Sequence, residues 1–237
     1  MIKKLFKLVR LILSFDYYVY YLFLKYRIVF SYEHLSILKY IKEIDIVLDI
    51  GANKGQFSLL INHHFPKKKL ILFEPLKFEY QILKKIFRKR KNILIKNYLV
   101  GNSNVITSFN ISKKSDSSSI LKPGRLQLDY YPSSKTISRQ KVKMIKLRSV
   151  RKFLNFPTFV KIDVQGYELE VLKGMEYKNI KYIYLEGSDL NLYEEQPIIK
   201  KIILFLKKKN FKKIAQFNVN RDKNGKVIYG DFLFRTN

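Results

Sequence analysis

From residue 45 onward, short apolar runs alternate with longer amphipathic ones, which predicts a parallel sheet with crossover helices. Ile46–Ile50 reads as a buried strand ending at Gly51, and Gln56–His63 as a helix stopped near Pro66. Leu70–Phe73 is the next strand, closed by Glu74-Pro75. Phe78–Phe87 is a helix with apolar residues at 78, 82, 83, 86 and 87. Ile93–Val100 gives a third strand. Residues 102–140 break the alternation: they are rich in Ser, Asn, Lys and Pro, and predict a long loop with one short strand at Val105–Phe109. The pattern then resumes with strand Val142–Leu147, a short helix Val150–Leu154, strand Phe159–Asp163 and helix Tyr167–Leu172. Strand Ile180–Glu186 and helix Pro197–Lys209 follow, the latter with proline in its first turn. Phe211–Val219 and Gly230–Phe234 close the chain as two strands joined through Asn224-Gly225.

The first 44 residues stand outside this pattern and read as a separate amphipathic helical segment, leaving 45–237 as the main domain. Leu5, Leu8, Val9 and Ile12 share one helical side, and Lys3, Lys7, Arg10 and Ser14 the other. Tyr17, Tyr18, Tyr20 and Tyr21 follow. Such a segment suits either packing on the domain or peripheral contact with an anionic membrane. Arg10 and Lys25 bracket 14 residues, about 21 Å of helix against a hydrocarbon core of about 30 Å. With Asp16 inside it and no small-residue cleavage site after it, the stretch reads as neither a span nor a signal peptide. The expected location is cytoplasmic, and the membrane alternative would put the chain at the inner face.

Composition narrows the chemistry. The 237 residues are 47% apolar, enough for a core, and contain no cysteine. Thiolate metal sites, disulfides and a Cys nucleophile are therefore excluded. The formal net charge is +28, from 47 Lys and Arg against 19 Asp and Glu. This invites a polyanionic partner. However, the excess is spread evenly: residues 1–44 hold 8 basic and 3 acidic residues, the remainder 39 and 16. Lys, Ile and Asn are abundant and Trp is absent, as an A/T-rich coding bias would produce.

In so basic a chain the acids are informative. Asp49, Glu74, Asp163 and Glu186 each fall at or just past the C-terminal end of an expected strand, the edge where open parallel sheets bind ligands. Val47–Gly55, VLDIGANKG, is a strand, a glycine loop and a helix start. It reads D-x-G-x-x-x-G, not the dinucleotide G-x-G-x-x-G. An acid before the first glycine disfavours phosphate and favours a cation or hydroxyls. S-adenosylmethionine has no phosphate, and carries a sulfonium, an ammonium and a ribose diol. Asp49 suits its amino-acid end, with Gly51, Asn53 and Gly55 forming the loop. Glu74, one strand later, suits a bidentate contact with the diol. A second motif, Phe159–Gly174, places Asp163 above the sheet as a base or an orienter of an acceptor. Its burial is expected to raise its pKa. Glu168 is a supporting candidate, although Glu168 and Glu170 also complement a helix dipole.

At these residues the chain resembles the FkbM-type methyltransferases. The likeness rests on VLDIGANKGQF (47–57), Phe73-Glu74-Pro75-Leu76, Ser117-Ser118-Ser119, KIDVQGYELEVLKG (161–174), Leu192–Gln196 and Asp231–Phe234. Leu147-Arg148 stands where the family commonly has Leu-Asp. The resemblance implies an α/β, class I S-adenosylmethionine-dependent methyltransferase (Rossmann-like) fold, with a mainly parallel seven-stranded sheet and helices on both faces. It also implies O-methylation, often of a sugar hydroxyl in a glycan or surface polysaccharide. Asp163 and Glu168 are then the catalytic candidates, with Glu186 a third, and no metal is expected. Of the histidines, His34 is the one able to approach the pocket. Alternatives are an RNA ribose methyltransferase, suggested by the charge, and a non-catalytic cofactor-binding module. Base N-methylation is disfavoured, because Asp163-Val164-Gln165-Gly166 stands where an Asn/Asp-Pro-Pro-aromatic motif is typical.

Overall fold

The computed structural model describes Leu22, residues 24–26, 28–148 and 155–237. The segment ahead of Leu22 and the expected helix Val150–Leu154 lie outside the described residues. The strands are β1 (Ile46–Ile50), β2 (Lys69–Phe73), β3 (Ile93–Lys96), β4 (Leu99–Gly101), β5 (Val105–Ser112), β6 (Thr136–Lys146), β7 (Thr158–Ile162), β8 (Ile180–Gly187), β9 (Phe211–Arg221) and β10 (Val227–Thr236). The helices are α1 (Leu38–Ile41), α2 (Gln56–His64), α3 (Lys77–Ile86), α4 (Arg125–Tyr130), α5 (Glu168–Lys173) and α6 (Ile199–Lys207).

Seven strands form one sheet in the order β3-β2-β1-β7-β8-β10-β9. All neighbours are parallel except β10, which runs antiparallel to both β8 and β9. β1 is buried at all five positions because parallel strands flank it and helices cover both faces. Alternation divides the core. Ile46, Leu48 and Ile50 join Val160, Ile162 and Leu172 on one face. Val47 joins Leu60, Leu70, Leu83 and Phe159 on the other. This is the class I methyltransferase architecture expected from the motifs.

The region 102–140 is corrected. β5 and β6 pair antiparallel over Val105–Ser112, and β4 joins β6 in parallel to make a second, three-stranded sheet. Its polar composition reflects two half-exposed strands, because one face of this small sheet meets solvent. The expected strand Ile93–Val100 is split between the two sheets. Asn97 marks the break, its side-chain amide donating to the carbonyls of Glu74 and Pro75 at 2.8 and 2.9 Å. The Ser-rich stretch is anchored: Ser119 Oγ donates to the Gln165 carbonyl at 2.7 Å, and the Gly124 N–H donates to the Leu192 carbonyl at 2.8 Å. Residues 115–131 thereby lie against the carboxyl edge of the main sheet.

Candidate active site

Two adjoining cavities open at that edge. The first, about 530 Å³, is lined by Gly51, Asn53, Glu74, Tyr98 and Phe109 among others. Gly51 has φ +79°, and a Cβ there would stand 1.9 Å from the Asp163 carbonyl oxygen. The glycine is therefore demanded by the close approach of the β1–α2 loop to the end of β7. Asn53, also left-handed at φ 47°, turns its backbone N–H onto Glu74 Oε2 at 2.8 Å. The Leu76 N–H donates to Glu74 Oε1 at 2.8 Å. Burial outweighs these two donors and pushes the Glu74 carboxyl up to about 8. Such a carboxyl, fixed in orientation and short of solvation, fits the hydroxyls of a ribose diol.

Asp49 and Gly55 line neither cavity. A Gly55 Cβ would meet Leu83 Cδ2 at 2.7 Å, so this glycine serves packing against α3. Asp49 lies one layer below the cleft, fully buried. Its Oδ2 accepts from Ser58 Oγ at 2.6 Å and its Oδ1 is 3.5 Å from Lys161 Nζ. The cause is register: Asp49 pairs with Lys161 across β1 and β7, on the face covered by α2. Lys161 Nζ is also 3.1 Å from Asp163 Oδ2 and sits 5.5 Å from the centre of the Phe57 ring. Burial alone would lower the ammonium, but Asp163 and Asp49 overcome it and hold it above its ordinary value.

Asp163 differs from expectation in its charge. Burial works to raise its pKa, yet Lys161 and the Gln165 amide more than offset this, and the carboxyl is held below its ordinary value. Gln165 Nε2 donates to Asp163 Oδ1 at 2.9 Å and to Glu186 Oε2 at 3.0 Å. Gln165 Oε1 lies 3.0 Å from the Tyr193 hydroxyl, which donates to it. Glu186 is the raised group: burial first, then the Asp163 and Asp231 carboxylates, hold it well above its ordinary value. Asp116, Asp163 and Gln165 line both cavities.

The second cavity, about 860 Å³, adds Glu168, Glu186, Tyr131, Tyr193 and Tyr229. Glu168 is 2% exposed, and its Oε1 accepts the N–H groups of Val164 and Gly166 at 3.2 and 3.1 Å. It braces the β7–α5 turn and forms part of the wall, with burial raising its carboxyl to about 7. His34 lines neither cavity. Its Nδ1 is 2.9 Å from the Tyr184 hydroxyl and 3.7 Å from Asp231 Oδ2, and burial lowers its pKa. Among the described residues, no three His, Asp or Glu side chains are grouped so as to hold a metal ion.

Sequence reasoning missed Lys161, Gln165 and Tyr193. A lysine inside the apolar run Phe159–Ile162 was the available signal for the first. Gln165 and Tyr193 lie within the family-like stretches 161–174 and 192–196, and that was the signal available for them.

The chain matches the Methyltransferase FkbM domain over residues 49–213. No curated protein matches its sequence significantly. Among solved structures, TehB from Haemophilus influenzae is similar at 13% identity and a TM-score of 0.49, covering 93% of this chain and 67% of that one. Precorrin-6y C5,15-methyltransferase from Geobacter metallireducens GS-15 is similar at 12% identity and a TM-score of 0.47, covering 86% of each. TrmK from M. capricolum, in complex with S-adenosyl-homocysteine, is similar at 12% identity and 0.47, covering 87% and 69%.

Proposed function

Because this chain belongs to the FkbM family of S-adenosylmethionine-dependent methyltransferases, we propose that it O-methylates an uncharged polyol, a sugar hydroxyl of a glycan or related metabolite. The observation that carries this reading is the carboxyl-rich lining of the second cavity. In a chain of net charge +28, this cavity gathers Asp116, Asp163, Glu168 and Glu186. Lys114 on its wall is 2.6 Å from Asp116 Oδ2, so a phosphate-rich acceptor meets carboxyl groups and no free cation there, whereas hydroxyls donate well to carboxyl groups. Tyr131 and Tyr229, with ring centroids 6.2 Å apart on the same wall, offer apolar faces to a sugar ring.

The first cavity suits the cofactor, with Glu74 on the ribose diol and the Gly51–Asn53 backbone beside it. When bound, S-adenosylmethionine supplies a methyl group on a sulfonium, open to in-line attack by an acceptor oxygen. Asp163 lies at the junction of the two cavities and is ionised at neutral pH. It accepts the acceptor's O–H hydrogen bond and takes the proton as the oxygen gains its methyl group. The attacking oxygen becomes strongly acidic as that bond forms, so a carboxylate of low pKa suffices. Glu186, whose carboxyl is held well above its ordinary value by burial and the neighbouring carboxylates, faces a neighbouring oxygen of the acceptor as a hydrogen-bond partner. Gln165 fixes the two carboxyl groups relative to each other. Lys161 keeps Asp163 charged from below.

The test is mass spectrometry of cell-surface glycans with and without the protein, together with labelled methyl transfer to neutral oligosaccharides and to RNA. A one-methyl shift confined to glycans is expected. Label appearing in RNA and not in glycans would overturn the reading.

A further inference from the structure

We infer that the amino-terminal edge of the sheet at β2 and β3, opposite the cleft, is a docking face for an anionic lipid bilayer. The turns leading into these strands are fastened together, because Asn92 Nδ2 donates to the carbonyls of Pro66 and Lys68 at 3.0 and 2.6 Å. This brings the run Lys67–Lys69 beside the run Arg88–Lys91. Lys67, Lys69, Arg88, Lys89, Arg90 and Lys91 are all exposed. Lys67 and the four cations of 88–91 form no ion pair with any described residue. Two acids, Glu43 and Asp45, precede β1 nearby and leave the patch strongly positive. Unpaired cations set this close repel one another, and a surface of opposite charge relieves that repulsion.

A second, independent observation selects lipid over nucleic acid. Leu22 and Tyr26 border the same turn, in a groove shared with Lys85, Ile86, Arg88 and Lys89. The chain therefore joins the domain beside the cationic patch. The sequence immediately before it, Lys3–Tyr21, is basic, apolar and tyrosine-rich. Cations contiguous with an apolar and aromatic stretch suit a headgroup layer with acyl chains behind it. Single-stranded nucleic acid would be served by exposed aromatic faces among the cations. Here Phe87, the aromatic residue within 84–91, is buried. Among the described residues no helix is long and apolar enough to cross a membrane. The two cavities then face away from the bilayer, toward an acceptor that reaches them from the aqueous side.

The experiment uses the full chain and sedimentation with vesicles of phosphatidylcholine alone or with roughly a third phosphatidylserine, at low and high salt. Binding is expected only to the anionic vesicles, and to weaken steeply with salt. In one variant Arg88, Lys89, Arg90 and Lys91 all become Gln. In a control of equal net charge Lys200, Lys201 and Lys207 on α6 and Lys208 at its C-cap become Gln. Each cation near a surface contributes about fivefold, so the first variant should lose at least about tenfold in binding and the control much less. Cofactor binding checks that both remain folded. Equal loss in both variants would reduce the effect to overall charge and overturn the inference. So would absence of binding to anionic vesicles, or an RNA that binds through 88–91 while vesicles do not.

Discussion

Glu74 links cofactor binding to pH in a way that can be measured without knowing the acceptor. Its carboxyl is buried, receives one backbone N–H on each oxygen, and titrates at about 8 in the free protein. If the carboxylate form grips the ribose diol, the fraction of competent protein is about one-tenth at pH 7 and about one-hundredth at pH 6. Apparent affinity should then weaken about tenfold per pH unit below 8 and level off above it. Methylthioadenosine is the best ligand for this test. It keeps adenosine and its diol but lacks the amino group, which titrates in the same range. Calorimetry in buffers of different ionisation enthalpy should show nearly one proton released on binding at pH 7. Glu74→Gln should bind with no such slope. Its deficit of about 1.5–3 kcal/mol at pH 9, from a lost charge-assisted contact, should shrink toward pH 6. Flat affinity from pH 6 to 9 without proton release in the wild-type chain would refute the reasoning. It would mean either that Glu74 does not meet the diol or that its carboxyl is not held protonated by burial.

Three further outcomes are expected. Gly51→Ala should cost more than about 3 kcal/mol in denaturant unfolding, because its Cβ would collide with the Asp163 carbonyl. By contrast Gly225→Ala, also at positive φ but in open space, should cost about 1 kcal/mol. Asp163→Asn should lower methyl transfer by about 10²–10⁴ while leaving cofactor affinity nearly unchanged. Loss of cofactor binding in calorimetry would instead assign it to the first cavity. The thermal midpoint of the ligand-free chain should fall by roughly 3–6 °C between pH 7 and 9. Glu74 and Glu168 titrate at about 8 and 7 in the folded chain, above their value of 4.5, so their contribution is full below pH 4.5 and lost as pH rises through 7–8. Asp163 and His34, whose shifts are downward, act in the opposite sense but have largely finished below this window. A scan in which the midpoint is level or rises from pH 7 to 9 would contradict the burial of these carboxyls.

The main sheet was legible because its strands are short, apolar on both faces and punctuated by Gly, Pro and acids, all of which are local signals. Gly51, Asn53, Glu74 and Asp163 were legible for the same reason: a chain turning sharply at a strand end leaves its mark in neighbouring residues. The three-stranded sheet was not, because β5 and β6 are half-exposed and polar, and only their pairing across about 30 residues makes them strands. The charge state of the site was also decided by tertiary structure. Sequence alone put Asp163 among apolar neighbours and so implied a raised pKa. The fold sets Lys161, two residues back and on the same face, directly beneath it, and joins Glu186 to it through Gln165. A pKa depends on distances of a few ångströms between side chains on different strands, and strand order and register fix those distances. The same applies to Asp49. Its position in the motif was plain, but alternation along β1 turned it toward α2 and Lys161 and away from both cavities.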